Sequence, residues 1–496
     1  MTILVPITLF GWVPCVMLLF LWLPPRRAVI TAFMGGWLFL PAATFQLPGI
    51  PDYSKMAATC AGILLAALIF DTDTLLSFRP HWFDIPMLVL CFCPFGTNAA
   101  ENIDMWDSFS WSVNQIITWG MPYFIGRVYF TDAEACRELA IGFFISGLVY
   151  IPICLFEIRM SPQLSKFLYG FDTGYSGQRL GGWRPTGLMA SGLMLGMWMT
   201  SASLCGVWLW FTGSLKRLGR YKASTLVISL VVVTILCKST GSLILLAAGL
   251  GILWAIRYTR VAFLYFLLCA VPIAYPIIRA GGMWDGSQAV AFAKSTVGAD
   301  RAQSLQFRFR NEDMLSEKAL RRATWGWGRF GKSRVYDENG KDISTTDGLW
   351  IITLGISGIV GLTAVTAIYL LPGIRFWWRT RAADWSDPSF AAISAFSVIL
   401  GLYAIDNILN AMVNPVITVC MGAVTAAALR RMTPEAVTAA AAVEQNFPLR
   451  SSHYRRALWP PQQAAGRGRA QWETGTRGER QNTRTRQDSD GSRRER

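Results

Sequence analysis

The feature that most constrains this chain is the recurrence of apolar runs long enough to cross a lipid bilayer. From Ile3 to Leu429 they succeed one another with short polar interruptions, and about 20 apolar residues suffice to span a hydrocarbon core. Between most of them there is no room for a soluble domain of ordinary size. Composition agrees: 53% of residues are hydrophobic and 16% charged, with 21 Trp and 29 Phe, a membrane profile. The expected fold is an all-α polytopic integral membrane protein with about 12 to 13 transmembrane helices. Their expected positions are near 3–23, 28–47, 56–70, 83–97, 109–126, 139–156, 186–211, 223–237, 242–256, 262–278, 348–372, 390–406 and 413–429. The first run has neither a basic segment before it nor a clear A-x-A site after it, and reads as a retained helix rather than a signal peptide.

Lys and Arg concentrate in cytoplasmic loops of membrane proteins, and alternate connections here differ in basic content. One set holds Arg26 and Arg27, Arg79, Arg127 with Arg137, the run LKRLGRYK, Arg257 with Arg260, and Arg375, Arg379 and Arg381. The other short connections hold Lys55, the basic residues from Arg159 to Arg184, and Lys238. This orientation puts the C-terminus in the cytoplasm. It divides the chain into a transmembrane domain, 1–429, with two long periplasmic loops, 157–185 and 279–347, and a tail, 430–496. The tail is rich in Arg, Gln, Gly and Ser, cannot bury a core, and is expected to be disordered. Its basic excess fits attraction to anionic membrane lipids, at roughly 1 kcal/mol per charge. No aromatic interleaving accompanies it, so no nucleic-acid partner is expected.

The ten cysteines are scattered through apolar runs without the spacing of a disulfide framework or a zinc site. With only His81 and His453 in the chain, a histidine base would have to be one of these.

Residues 325–334 read WGWGRFGKSR, which matches the phosphate-loop pattern through Gly326, Gly331, Lys332 and Ser333. It also matches G-x-G-x-x-G through Gly326, Gly328 and Gly331. Phosphate loops need a buried strand before the glycines and a helix after them. The preceding stretch, NEDMLSEKALRRAT, is charged and helical in pattern. The stretch on the other side, VYDENGKDISTTDG, centres on Asn339-Gly340, which reads as a tight turn between short extended pieces. No helix is expected to begin at Lys332, and no strand supplies a magnesium ligand, so no nucleotide is expected to bind. The glycines read instead as a compact loop that packs Trp325, Trp327 and Phe330 beside the membrane interface, where such rings also stack on sugars.

The outward-facing polar residues are more informative. Arg179 and Arg184 lie in QRLGGWRPTGLMASG, and Arg308 and Arg310 in SLQFRFRNEDML. The guanidinium fork suits paired contacts to phosphate oxygens and serves equally for lipid headgroups. Asp347 closes the long loop and is read as the N-cap of the span beginning at Gly348, a role compatible with facing a substrate. Lys238, in CKSTGS, would cost about 2.5–3.5 kcal/mol at the bilayer centre, which places its turn at the surface or in a wet cavity.

In its order of motifs the region from Arg184 to Gly361 resembles the O-antigen ligase and Wzy-type polysaccharide polymerase family. Asp347 stands at the end of the large loop, and the G-x-x-G of Gly358 and Gly361 comes after ten intervening residues. RPTG (Arg184 to Gly187), STG (Ser239 to Gly241), and Arg308 eighteen residues ahead of Gly326-Trp327-Gly328 complete the pattern. The resemblance implies a GT-C-like membrane glycosyltransferase whose donor is a polyprenyl diphosphate-linked oligosaccharide and whose acceptor is a second glycan. It implies that Arg184 and Arg308 stabilise the diphosphate leaving group and that Asp347 accepts the acceptor's proton. Arg310, Lys238, Trp327 and Arg179 are the expected substrate-binding residues. No metal or other cofactor is expected, since no DxD-like cluster stands beside the arginines. Ligases of this family usually carry histidine where this chain has Asp347, which directs the reading toward a polymerase or a divergent ligase. The competing classes are a transporter or flippase of a lipid-linked sugar, for which DNILNAMVN (Asp406 to Asn414) is the best feature, and a non-catalytic scaffold.

Overall fold

The computed structural model describes residues 2–45, 52–101, 104–170, 177–179, 181–296 and 298–430. The expected disordered tail, apart from Arg430, lies outside the described residues. The architecture is mostly helical. Among the described residues, eight helices are long and apolar enough to cross a membrane, including Leu4–Trp22, Ala133–Met160, Gly192–Phe211, Leu349–Arg379 and Ala391–Leu409. Three shorter apolar helices, Lys55–Phe70, Ala223–Leu236 and Pro415–Leu429, accompany them.

Burial sorts these helices into centre and rim. Within the most apolar stretch of Ala391–Leu409, 89% of residues are buried, against 22% in Leu4–Trp22. Small residues make the central position possible: Ala391, Ala392, Ser394, Ala395 and Ser397 are buried, and they let neighbouring backbones approach where lipid offers no hydrophobic drive. Trp208 Nε1 donates to Ser394 Oγ at 3.0 Å. The late part of Gly192–Phe211 therefore lies against the early part of Ala391–Leu409, and the two helices run antiparallel. At 1.5 Å per residue this register brings the Gly192 and Leu409 ends to one level.

Charge sorts the two ends. Arg26 pairs with Asp132 at 3.0 Å and Arg27 with Glu138 at 3.1 Å. Arg137 donates to Ser214 O at 2.9 Å, and Arg127 holds both Asp84 and the Arg79 carbonyl. Arg257 lies over Phe211 and Arg375 over Phe83. These contacts join several of the basic connections to neighbouring elements of the bundle.

The helix Leu349–Arg379 is broken at Gly358, where φ is 63° and ψ is −163°. A break inside an apolar helix strands backbone donors and acceptors, which must find partners in the protein. The glycine loop supplies them. Trp327 and Gly328 donate their N–H groups to the Gly355 and Ile356 carbonyls, each at 2.9 Å, and Ile359 N–H donates back to Ala323 O at 2.7 Å. Gly326 and Gly328 have φ of 72° and 83°, and a Cβ at Gly326 would overlap the Ile356 backbone. The ring of Trp325 covers Gly96, while Thr97 Oγ1 donates to Trp325 O at 2.8 Å. The glycines of WGWGRFGKSR thus permit close backbone approach to a broken helix.

The helix Ala299–Leu320 precedes this loop, as its charged pattern predicts. One detail differs from expectation: a helical turn, Phe330–Ser333, does form within the motif. It contains Lys332 and does not begin there, and a single turn carries little of the dipole that holds phosphate. The expected turn at Asn339-Gly340 is present, with Tyr336 bridging Asp342 and φ of 75° at Gly340.

Candidate functional site

The helix Ala299–Leu320 carries Arg308 and is fixed to Phe263–Ala280 through a buried charge cluster. Arg279 Nε donates to Glu312 Oε2 at 3.2 Å, and its Nη atoms donate to Trp284 O at 2.7 Å and Phe309 O at 3.0 Å. Tyr275 adds a hydrogen bond to Glu312 at 2.8 Å. Burial nevertheless raises the Glu312 carboxyl above its usual range, against the pull of these donors. The end of the loop is drawn back to the same helix by Thr345 N–H, which donates to Asn311 Oδ1 at 2.7 Å.

Arg308 consequently has a defined position. Its Nε lies 3.3 Å from Asp347 Oδ2, with the side chains 30% and 39% exposed, so the pair is reachable from water. Its Nη1 donates to Leu409 O at 3.4 Å, where the C-terminus of Ala391–Leu409 favours a cation. Gly348 makes the meeting possible, because a Cβ there would overlap the Ile408 carbonyl. The expected capping role of Asp347 is overturned. The helix begins at Leu349, Gly348 occupies the cap position in extended conformation, and no side chain caps it. The Asp347 carboxylate, one residue outside the cap, turns to Arg308 instead.

The sequence marks Asp406 only as part of the transporter-like run DNILNAMVN and gives it no role in glycosyl transfer. Asp406 is 8% exposed; Asn410 Nδ2 donates to its Oδ1 at 2.9 Å, Oδ2 has no hydrogen-bond partner among the described residues, and the Arg308 charge acts on it. A carboxylate inside an otherwise apolar helix was the available signal. The neighbouring Asn414 is explained locally, since its Oδ1 accepts from Val416 N–H and caps Pro415–Leu429.

A second cluster forms around Arg184. The RPTG turn is built on Glu157, a fully buried carboxylate that accepts from the N–H groups of Thr186 at 2.8 Å and Gly187 at 2.6 Å. Gly187 has φ of 59°. This turn directs Arg184 inward, where it is 7% exposed and its Nη2 donates to Ser239 Oγ at 2.8 Å. Ser239 in turn bonds Ser242 at 2.8 Å. Lys238 has φ of 54°, and its ammonium lies against Gly182, where a Cβ would collide with it. RPTG and KSTG, far apart in sequence, thus meet. Arg179 belongs to the strand Gln178–Arg179, paired with Gly182–Trp183 beside this cluster.

The Arg184 and Arg308 clusters occupy the same end of the antiparallel central pair as separate groups. Arg310 is exposed and, two residues along a helix, points nearly opposite to Arg308. Trp327 is half-buried. Its indole N–H donates to Lys318 O at 3.0 Å, and Arg322 and Lys318 lie 4.3 and 5.1 Å from the ring centroid. Its visible work is to hold the glycine loop. No protein-family model matches this chain, and no curated protein matches it.

Proposed function

We propose that this chain is a metal-independent, inverting membrane glycosyltransferase that transfers or polymerises a polyprenyl diphosphate-linked oligosaccharide at the periplasmic face of a bacterial inner membrane. In this reading the molecule has about 12 to 13 spans in a GT-C-like arrangement. The observation that carries the proposal is the Arg308–Asp347 pair, water-accessible and level with the buried Arg184 cluster, in a protein otherwise built of apolar helices. The motif order shared with the O-antigen ligase and Wzy-type polymerase family supports the same assignment.

Charge dictates the chemistry. The donor diphosphate approaches Arg308 and competes with Asp347 for the guanidinium, so that donor binding releases the carboxylate. An acceptor hydroxyl attacks the anomeric carbon, and the bond from that carbon to the diphosphate oxygen breaks with its electron pair passing to the diphosphate. Asp347 takes the hydroxyl proton, while Arg308 and Arg184 stabilise the charge on the departing polyprenyl diphosphate. The products are the extended glycan and the free lipid diphosphate. Lys238, beside the Arg184 cluster, supplies further positive charge around the donor, whereas Arg310 faces away from Arg308.

The test is transfer by purified protein in lipid vesicles, read as glycan length and released lipid diphosphate. Arg184→Ala and Arg308→Ala should each abolish extension in folded protein; extension at the ordinary rate by both would refute the assignment. A transporter of the same lipid-linked saccharide is the second reading, favoured by the buried Asp406. It predicts translocation of the donor without cleavage.

A further inference from the structure

A cavity of about 570 Å³ lies between Ile85–Glu101, the helix Met105–Gln115 and the glycine loop, away from Arg184 and Arg308. Its volume is that of a small-molecule site. Asp107, Ser110, Trp111 and Asn114 line it from one helix, at the i, i+3, i+4, i+7 spacing that shares a face. The other face of that helix carries Met105, Trp106 and Phe109, which are 66%, 56% and 50% exposed. The polar groups of this helix face the cavity, where Asp107, Ser110 and Trp111 are half-buried and Asn114 is exposed, and its apolar groups face away from it. Such a face is costly in a membrane protein unless it holds water or a polar ligand.

Charge and hydrogen-bonding capacity narrow the ligand. Asp52 and Asp107 stand against one cation, Arg329, which already pairs with Asp107, so the lining is net negative and repels a diphosphate. Among the described residues the side chains of Ser110, Trp111 and Asn114 make no hydrogen bond within the protein, and their donors and acceptors remain available. Trp111 and Phe330 add aromatic surface. A neutral polyol with apolar ring faces satisfies all three conditions: its hydroxyls meet the carboxylate and amide, and its C–H faces lie on the rings. An acyl chain would leave the polar groups unmet.

We propose that this cavity is a carbohydrate subsite that binds a neutral segment of glycan. That the bound glycan is the acceptor rests on the glycosyl-transfer reading. The wall formed by Gly328, Arg329 and Phe330 belongs to the long 279–347 segment that also carries Arg308 and Asp347.

The experiment is equilibrium binding to the purified full-length protein of neutral oligosaccharides, free of lipid and phosphate, with uronic-acid oligosaccharides and inorganic pyrophosphate as comparisons. Neutral chains should bind saturably, pyrophosphate should not compete, and Asn114→Ala and Trp111→Ala should each weaken binding by about tenfold, the loss expected for one hydrogen-bonding or stacking partner. Trp111→Phe, which keeps a ring, should restore most of the affinity and guards against a folding artefact. Arg308→Ala should leave glycan binding unchanged. If wild type binds glycan in this manner yet transfers none, the transfer reading fails and the subsite stands. Absence of saturable binding, preference for the acidic chains, or indifference to Asn114→Ala and Trp111→Ala overturns the subsite.

Discussion

Replacing Asp347 by Asn separates a catalytic carboxylate from a structural one. The side chain caps no helix, and its one ion pair among the described residues, at 3.3 Å with both partners about a third exposed, belongs to a class worth about 0.2–1 kcal/mol. Loss of that pair cannot unfold a membrane bundle, so the variant should reach the membrane at ordinary levels. Loss of a general base costs about 10²–10⁴-fold in rate, or about 2.7–5.4 kcal/mol of transition-state stabilisation. The kinetic effect should therefore exceed the folding effect severalfold. A second signature comes from competition for Arg308. Because the neutral amide no longer holds the guanidinium, KM for the lipid diphosphate donor should stay level or fall while kcat collapses. The assay is steady-state transfer per folded molecule, with donor concentration varied. A raised KM with kcat intact would mean that Asp347 only positions Arg308, and an unchanged rate would remove it from the mechanism.

Arg308→Lys should be nearly as inactive as Arg308→Ala, because an ammonium cannot grip two neighbouring oxygens; substantial transfer by the Lys variant in the same assay would argue against a forked diphosphate contact. Gly358→Ala and Gly326→Ala should each lower folded yield, since a left-handed backbone with a side chain costs about 1–2 kcal/mol before the overlap at each position is counted; detergent-resistant monodisperse protein at normal levels would contradict the close packing of the glycine loop on the broken helix. Lys332→Ala should shift thermal stability by less than about 0.5 kcal/mol and leave transfer unaltered; saturable ATP binding lost in this variant would revive the phosphate loop. Cysteine at Glu338, an exposed position, should react with an impermeant thiol reagent in cells whose outer membrane has been opened, and labelling only after lysis would invert the proposed topology.

The helical membrane architecture was legible because apolar periodicity is written locally. The convergence of Arg184 with Ser239 and Lys238 was legible only as separate motifs, because their meeting depends on helix packing. Asp347 was misread as a cap since capping rules see a polar residue before a helix, and cannot see that Gly348 approaches the Ile408 carbonyl. The glycine motif misleads for a related reason. Glycines that let backbone approach phosphate and glycines that let backbone approach a broken helix look alike in sequence. The polar face of Met105–Gln115 has the spacing of an ordinary amphipathic helix, and only the packing of its neighbours shows that this face lines a cavity.

The central claim is bond-forming transfer from a lipid diphosphate, and it is tested most directly by purified protein in sealed vesicles given one polyprenyl diphosphate-linked oligosaccharide. Glycans of increasing length, with one free polyprenyl diphosphate released for each unit added, are the predicted result. Movement of intact lipid-linked saccharide between leaflets, with no longer product and no released diphosphate, would contradict it.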